Sequence, residues 1–362
     1  MAVYTTIDDP SAHFQTALYA GNNTTDHNIT NDGNSDLQPD LVWIKQRTSD
    51  NPHVLQDTSR GFNGSGLAFN LQTNSTAVEG TNGAFESFNT NGFGVGGTNV
   101  ASGAYNLSGS NYVAWQWKAN GGTTASNTTG SVTSTVQVNS DAGFSIVTFD
   151  SASSGNFSVG HGLGVQPAMI ITKNREGTGQ WYTWHKDLTG GTSNTSYLLS
   201  LNRTDAEESF ANAWGAGVTS SVFGMQSGNT ATASNDYIAY CFAEKQGYSK
   251  FGSYVGNSND NGTFVYLGFK PRWLMIKSIT ETGMPWNIID TARSTSNVMD
   301  DYLTANTTDP QGTSSTKNID FLSNGFKCRD DNNLNFSDHT YIYMAFAENP
   351  FVTSTGTPTT AR

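Results

Sequence analysis

Two short patterns, each written three times and always in the same order, constrain this chain more than any other feature of it. The first is an apolar run with proline at its head and lysine in seventh place: Pro39-Asp40-Leu41-Val42-Trp43-Ile44-Lys45, Pro167-Ala168-Met169-Ile170-Ile171-Thr172-Lys173 and Pro271-Arg272-Trp273-Leu274-Met275-Ile276-Lys277. The second is Tyr112-Val113-Ala114-Trp115-Gln116-Trp117, Tyr237-Ile238-Ala239-Tyr240-Cys241-Phe242 and Tyr341-Ile342-Tyr343-Met344-Ala345-Phe346. Pro39, Pro167 and Pro271 stand 128 and 104 residues apart, and Tyr112, Tyr237 and Tyr341 stand 125 and 104 apart. Chance self-similarity of a Gly/Asn/Thr-rich chain accounts for its Ser/Thr tracts, but not for two independent anchors on one period.

Further landmarks fall between the anchors. Aromatic strand starts precede each proline (Phe14 to Tyr19, Phe144 to Phe149, Phe251 to Tyr254). After the lysine, Asp57-Thr58-Ser59-Arg60 is answered by Asp290-Thr291-Ala292-Arg293, while the middle copy carries Trp181-Tyr182-Thr183-Trp184-His185. The expected fold is all-β, with three tandem β-sandwich-like repeats of about 105–125 residues, short turns and little helix. The expected boundaries are 1–122 for repeat one, 123–142 for a linker or connecting strand, 143–247 for repeat two, 248–352 for repeat three and 353–362 for a tail.

Composition fits that class. Charged residues make up only 13%, but aromatics reach 12% and sit inside the short apolar runs, so each unit can bury a core. About six to eight strands per copy are expected, separated by Asn-Gly turns such as Asn91-Gly92, Asn261-Gly262 and Asn324-Gly325. The Pro-led runs are nearly continuous in apolar residues, as in strands buried on both faces or central in a sandwich. One stretch, Asp205 to Ala213, suggests a turn or two of helix capped by Thr204 or Asp205. The Gly/Ser/Thr-rich segment Ala119 to Ala142 is the linker candidate, so unit one is expected to be the more independent, with units two and three packed closely. The Thr/Pro-rich tail is expected to be disordered or donated to a neighbour.

The net charge of −12, with scattered basic residues, excludes an electrostatic footprint for nucleic acid. No apolar stretch approaches a membrane span. The N-terminus lacks a basic and apolar leader, so synthesis in a cytosol without an export address is expected. Cys241 and Cys328 are expected as small hydrophobic core residues, with a bridge between them the lesser alternative.

Catalytic signatures are missing from the sequence: there is no zinc spacing among the six histidines, no nucleophile elbow and no phosphate loop. No catalytic, cofactor or metal residue is nominated, and no enzyme activity is expected. Gly160-His161-Gly162-Leu163-Gly164 reads as a turn. Asn257-Ser258-Asn259-Asp260-Asn261-Gly262 follows the start of a calcium loop, but Gly268 stands where the closing carboxylate belongs, so a hairpin turn is the better reading. Asp330-Asp331-Asn332-Asn333 is a similar case. The recurrence of Asp57/Arg60 as Asp290/Arg293 argues for structural ion pairs. Exposed aromatics stack on sugars, and Trp181 and Trp214, beside Gly-rich loops, are the expected glycan contacts.

The anchors, together with Gly160-His161-Gly162-Leu163-Gly164-Val165-Gln166-Pro167 and Phe321-Leu322-Ser323-Asn324-Gly325-Phe326-Lys327, resemble a repeat family of uncharacterised proteins from marine tailed bacteriophages. The resemblance covers nearly the whole chain and carries no catalytic residue to transfer. It implies a virion structural protein on the tail or capsid exterior. Such a protein would be a tail fibre or receptor-binding component acting by multivalent adhesion, or alternatively a capsid decoration protein. Its implied partners are other virion proteins, further copies of itself (a trimer favoured) and host surface polysaccharide. A free carbohydrate-binding module or glycan hydrolase is the third reading.

Overall fold

The Pro-led and Tyr-led runs pair with each other in every third of the chain, and the rest of the architecture grows from that pairing. A computed structural model describes residues 4–359. Lobe one contains β1 (Phe14–Ala20), β2 (His27–Thr30), β3 (Leu41–Gln46), β4 (Val54–Asp57), β5 (Ala68–Gln72), β6 (Gly80–Asn82), β7 (Phe85–Asn89), β8 (Gly92–Val95) and β9 (Asn111–Trp117). Lobe two contains β10 (Ala125–Asn127), β11 (Ser134–Asn139), β12 (Phe144–Asp150), β13 (Asn156–Gly160), β14 (Met169–Asn174), β15 (Tyr182–His185), β16 (Tyr197–Ser200), β17 (Glu208–Ser209), β18 (Val222–Gln226) and β19 (Asp236–Phe242). Lobe three contains β20 (Ser249–Val255), β21 (Phe264–Tyr266), β22 (Phe269–Ser278), β23 (Asn287–Asp290), β24 (Asp301–Thr304), β25 (Gly312–Thr313), β26 (Ile319–Leu322), β27 (Gly325–Cys328) and β28 (Thr340–Pro350). The fold is all-β, and no α-helix occurs among the described residues.

Each lobe has a large antiparallel sheet and a small one. The large sheets run β1-β9-β3-β4-β5-β6, then β12-β19-β14-β15-β16-β17 with β10-β11 added outside β12, then β20-β28-β22-β23-β24-β25. The small sheets are β2-β8-β7, β13-β18 and β21-β27-β26. The last long strand therefore lies next to the Pro-led strand in each lobe: β9 between β1 and β3, β19 between β12 and β14, and β28 between β20 and β22. Several two- and three-residue edge strands raise the strand numbers above the six to eight expected.

The large sheets are buried on both faces, which accounts for their unbroken apolar runs. Successive side chains point to opposite faces. On β9, Val113, Trp115 and Trp117 enter one core while Tyr112 and Ala114 enter another. Strands β19 and β28 divide in the same way, sending Ile238, Tyr240 and Phe242, and Ile342, Met344 and Phe346, into the first core. That first core is common to all three lobes: Phe14, Trp115, Trp117, Phe242, Trp273 and Phe346 meet there in ring contacts 4.9 to 6.3 Å between centroids. The outer faces of the large sheets pack on the small sheets and give each lobe a second core of its own.

Three expectations need correction, and a fourth is decided between its two alternatives. Unit one is not the independent one, because it shares the central core equally. Of linker or connecting strand, the segment after β9 is the second: Asp40 accepts main-chain N–H groups from Ala119, Gly121 and Gly122 at 2.7 to 2.9 Å, and β10 and β11 extend the large sheet of lobe two. Gln137 on β11 also donates to Thr58 at 2.9 Å, fastening lobe two to lobe one. Residues 205–213 form no helix; β17 pairs with β16 there, and the main chain of Glu207 bonds to Ile279 instead. The tail through Thr359 folds back on its own chain, with Val352 bridged to Pro358 and Ser354 donating its N–H to Asp8 at 2.6 Å. Residues 360–362 of that tail lie outside the described residues.

Candidate functional site

Trp181 and Trp214, the expected glycan contacts, are both fully buried. Trp181 closes the seam between lobes one and two, its indole Nε1 donating to Gln72 O at 2.9 Å. Trp214 lies in the private core of lobe two and donates to Tyr197 O at 2.9 Å. Their Gly-rich neighbourhoods turn inward and cover them, so neither ring is available to a sugar.

The seams use the recurring lysine. Lys45, Lys173 and Lys277 are all buried, and each donates Nζ into the next lobe: to Thr308 O at 2.8 Å, Thr76 O at 3.1 Å and Thr204 O at 3.3 Å. Each of these three carbonyls also accepts one main-chain N–H, from Asn51, Gly179 and Gly283 respectively, at 3.0 Å. The residue three after each threonine donates its N–H back across the seam: Gln311 to Arg47 O, Glu79 to Arg175 O and Glu207 to Ile279 O, at 2.8 to 2.9 Å. Trp286 repeats the Trp181 contact by donating to Ser200 O at 3.1 Å. Lobe one thus grips lobe three, three grips two, and two grips one. Burial pushes the lysines down, Lys45 and Lys173 to about 8 and Lys277 to about 7, with nearby aspartates partly offsetting it for Lys45 and Lys277.

The paired Asp and Arg residues do close turns. Arg60 meets Asp57 at 2.5 Å and Arg293 meets Asp290 at 2.6 Å, and all four side chains are fully buried. Each carboxylate takes a further bond from a neighbouring lobe: Tyr240 OH to Asp57 at 2.8 Å and Trp115 Nε1 to Asp290 at 3.1 Å. In lobe two His185 holds the equivalent register position, opposite Met169 as Asp57 is opposite Leu41 and Asp290 opposite Trp273. Its Nδ1 accepts from Asp187 N at 3.2 Å, leaving Nε2 to donate to Tyr343 O at 3.3 Å. Burial pushes this imidazole down to about 3, so it sits neutral.

The two acidic loops weighed for calcium come together, and the position between them is filled. Asn335 Nδ2 donates to Asn257 Oδ1 at 2.8 Å, Asn259 O at 3.0 Å and Asp330 O at 2.8 Å. Those oxygens therefore serve an amide. No group of three or more His, Cys, Asp or Glu side chains able to hold a metal occurs among the described residues. His161 stays in its turn, pushed down to about 4 by burial. Cys241 and Cys328 are buried, unbridged thiols in the separate cores of lobes two and three, in line with the core reading.

Among the accessible surfaces are the outer faces of the small sheets, and one of the three differs. On β21, Phe264 and Tyr266 point outward, 45% and 51% exposed, while Val265 between them points into the core. Phe264 stands beside Lys327 and Asp320 across the sheet, and Tyr266 stands beside Gly325. Lys327 donates to Asn261 Oδ1, and Arg329 meets Asp320 at 2.5 Å. The Tyr4 hydroxyl donates to Gly268 O at 2.7 Å, two residues beyond Tyr266. The alternation Phe264-Val265-Tyr266 was the only sequence signal for this face, and it fits inward-facing rings equally well.

No curated protein and no solved structure matches the chain. One family model does match, over residues 9–350, and so spans all three lobes. The chain belongs to the family described as domain of unknown function DUF7483.

Proposed function

We propose that this chain is a non-enzymatic virion structural protein of a tailed phage, a tail-fibre or receptor-binding component that adheres through its outer surfaces. The observation that carries the reading is the use made of the reactive side chains. The buried lysines, the Asp–Arg pairs, His185 and the tryptophans Trp115, Trp181 and Trp286 are all engaged in holding lobes together or closing turns. The outer strands and loops are then what a partner meets. The phage context comes from the resemblance of the anchor motifs. Adhesion by many weak contacts suits a protein carried in several copies on a particle; a homotrimer bound to other virion proteins is the favoured assembly.

The alternative reading, capsid decoration, draws support from the closed ring of three lobes. A single chain whose three lobes grip one another in a cycle suits a threefold position on a lattice. Quantitative stoichiometry of purified particles tests both readings. A few copies per particle, lost with the tail, supports the fibre; hundreds of copies retained on isolated heads supports decoration. Absence of the chain from particles overturns the virion reading altogether.

A further inference from the structure

We infer that the outer face of the small sheet of lobe three, centred on Phe264 and Tyr266, binds an uncharged polysaccharide. The inference rests on the adhesion reading for its biological sense but on its own observations for its chemistry. The fold does not require these rings. The equivalent outward positions are Asn28 and Thr30 opposite Gly94 and Gly92 in lobe one, and Ser158 and Gly160 opposite Gly224 and Val222 in lobe two. Two large apolar side chains half exposed where the other lobes carry small or polar ones lose favourable burial for no structural return.

Their arrangement suits a sugar chain. The rings leave the same face of one strand two residues apart, so their attachment points are about 7 Å apart. Rings presented side by side offer apolar faces to the C–H faces of successive sugar units. Tyr266 lies opposite Gly325, so no cross-strand side chain covers its ring from that side. Polar groups border the rings, as orientation of hydroxyl groups requires.

Charge selects among ligands. Arg329 is paired with Asp320, which leaves Lys327, hydrogen-bonded to the neutral Asn261 amide oxygen, as a single cation rather than a cluster. The chain as a whole carries −12. An anionic polymer meets no free cationic cluster here and is repelled at longer range, whereas a neutral polyol pays neither cost.

The test is affinity electrophoresis of the full-length chain through native gels containing dextran, galactomannan or hydroxyethylcellulose, with alginate as the anionic probe. The wild type is expected to be retarded by at least one neutral polysaccharide. The double variant Phe264→Asn/Tyr266→Thr, which installs the residues of lobe one, is expected to lose that retardation at least tenfold with an unchanged melting temperature. The control Asn28→Ala/Thr30→Ala is expected to be retarded like the wild type. No retardation in any neutral gel, retardation by alginate alone, or equal retardation of the double variant overturns the inference. So does a wild-type dimer in sedimentation that the double variant abolishes, because the face then belongs to a second copy. Loss of glycan binding leaves the particle stoichiometry untouched, and absence from particles leaves the glycan test untouched, so the two readings fail separately.

Discussion

Lys277 lies buried with its ammonium on Thr204 O, and its acidity is the clearest single-residue signature of the seams. Its folded-state value, about 7, lies below that of an unfolded lysine, near 10.4. Between those values the unfolded chain binds more protons, so the stability contributed by this site rises with pH across the window and is flat below it. The unfolding midpoint in urea is expected to climb from pH 7 to about 9.5, and Lys277→Met to climb less steeply; equal slopes would contradict the burial argument. Asp57 offers a second residue-scale test. Asp57→Asn removes the nearer of the two carboxylates on buried Arg60 and leaves Glu79 at 3.0 Å, so it is expected to destabilise the chain in urea denaturation by less than the ~3–5 kcal/mol of a buried charge left unpaired. Lobe two shows the alternative solution, His185 followed by Leu188 in place of Asp and Arg. Asp57→His combined with Arg60→Leu is therefore expected to cost less than Asp57→Asn alone.

At the scale of elements, the sequence disclosed what depends on local pattern and concealed what depends on neighbours. Strands β3, β14 and β22 were legible because runs buried on both faces leave no polar alternation, and β9, β19 and β28 for the same reason. The seventh-place lysine was visible as a recurring letter, but its role needs the carbonyl of another lobe, which no local window contains. The Asp–Arg turn was read correctly because both partners lie three residues apart in one turn. Trp181 and Trp214 were misread because glycine-rich surroundings usually mark surface loops, whereas here the first loop is a seam between lobes and the second folds over the private core of lobe two. The edge strands β6, β17 and β25, of two or three residues, are too short to show any period. Phe264 and Tyr266 were passed over because half-exposed aromatics and core aromatics share one alternating pattern.

At the scale of the whole molecule, the central core changes what a lobe is. Each lobe has a private core between its two sheets, but Trp115 and Trp117 from lobe one, Phe242 from lobe two and Trp273 and Phe346 from lobe three fill a common one. Removing a large aromatic from such a site costs about 3–5 kcal/mol, and the loss falls on all three large sheets. Stability of this kind is not a sum over separable modules, in contrast to linear repeat arrays. Native-state hydrogen exchange on Trp273→Ala measures that sharing directly. The variant is expected to lose amide protection on β9 of lobe one and β19 of lobe two as well as on β22 and β28 of its own lobe. Loss confined to lobe three, with β9 and β19 protected as in the wild type, would contradict a core held in common.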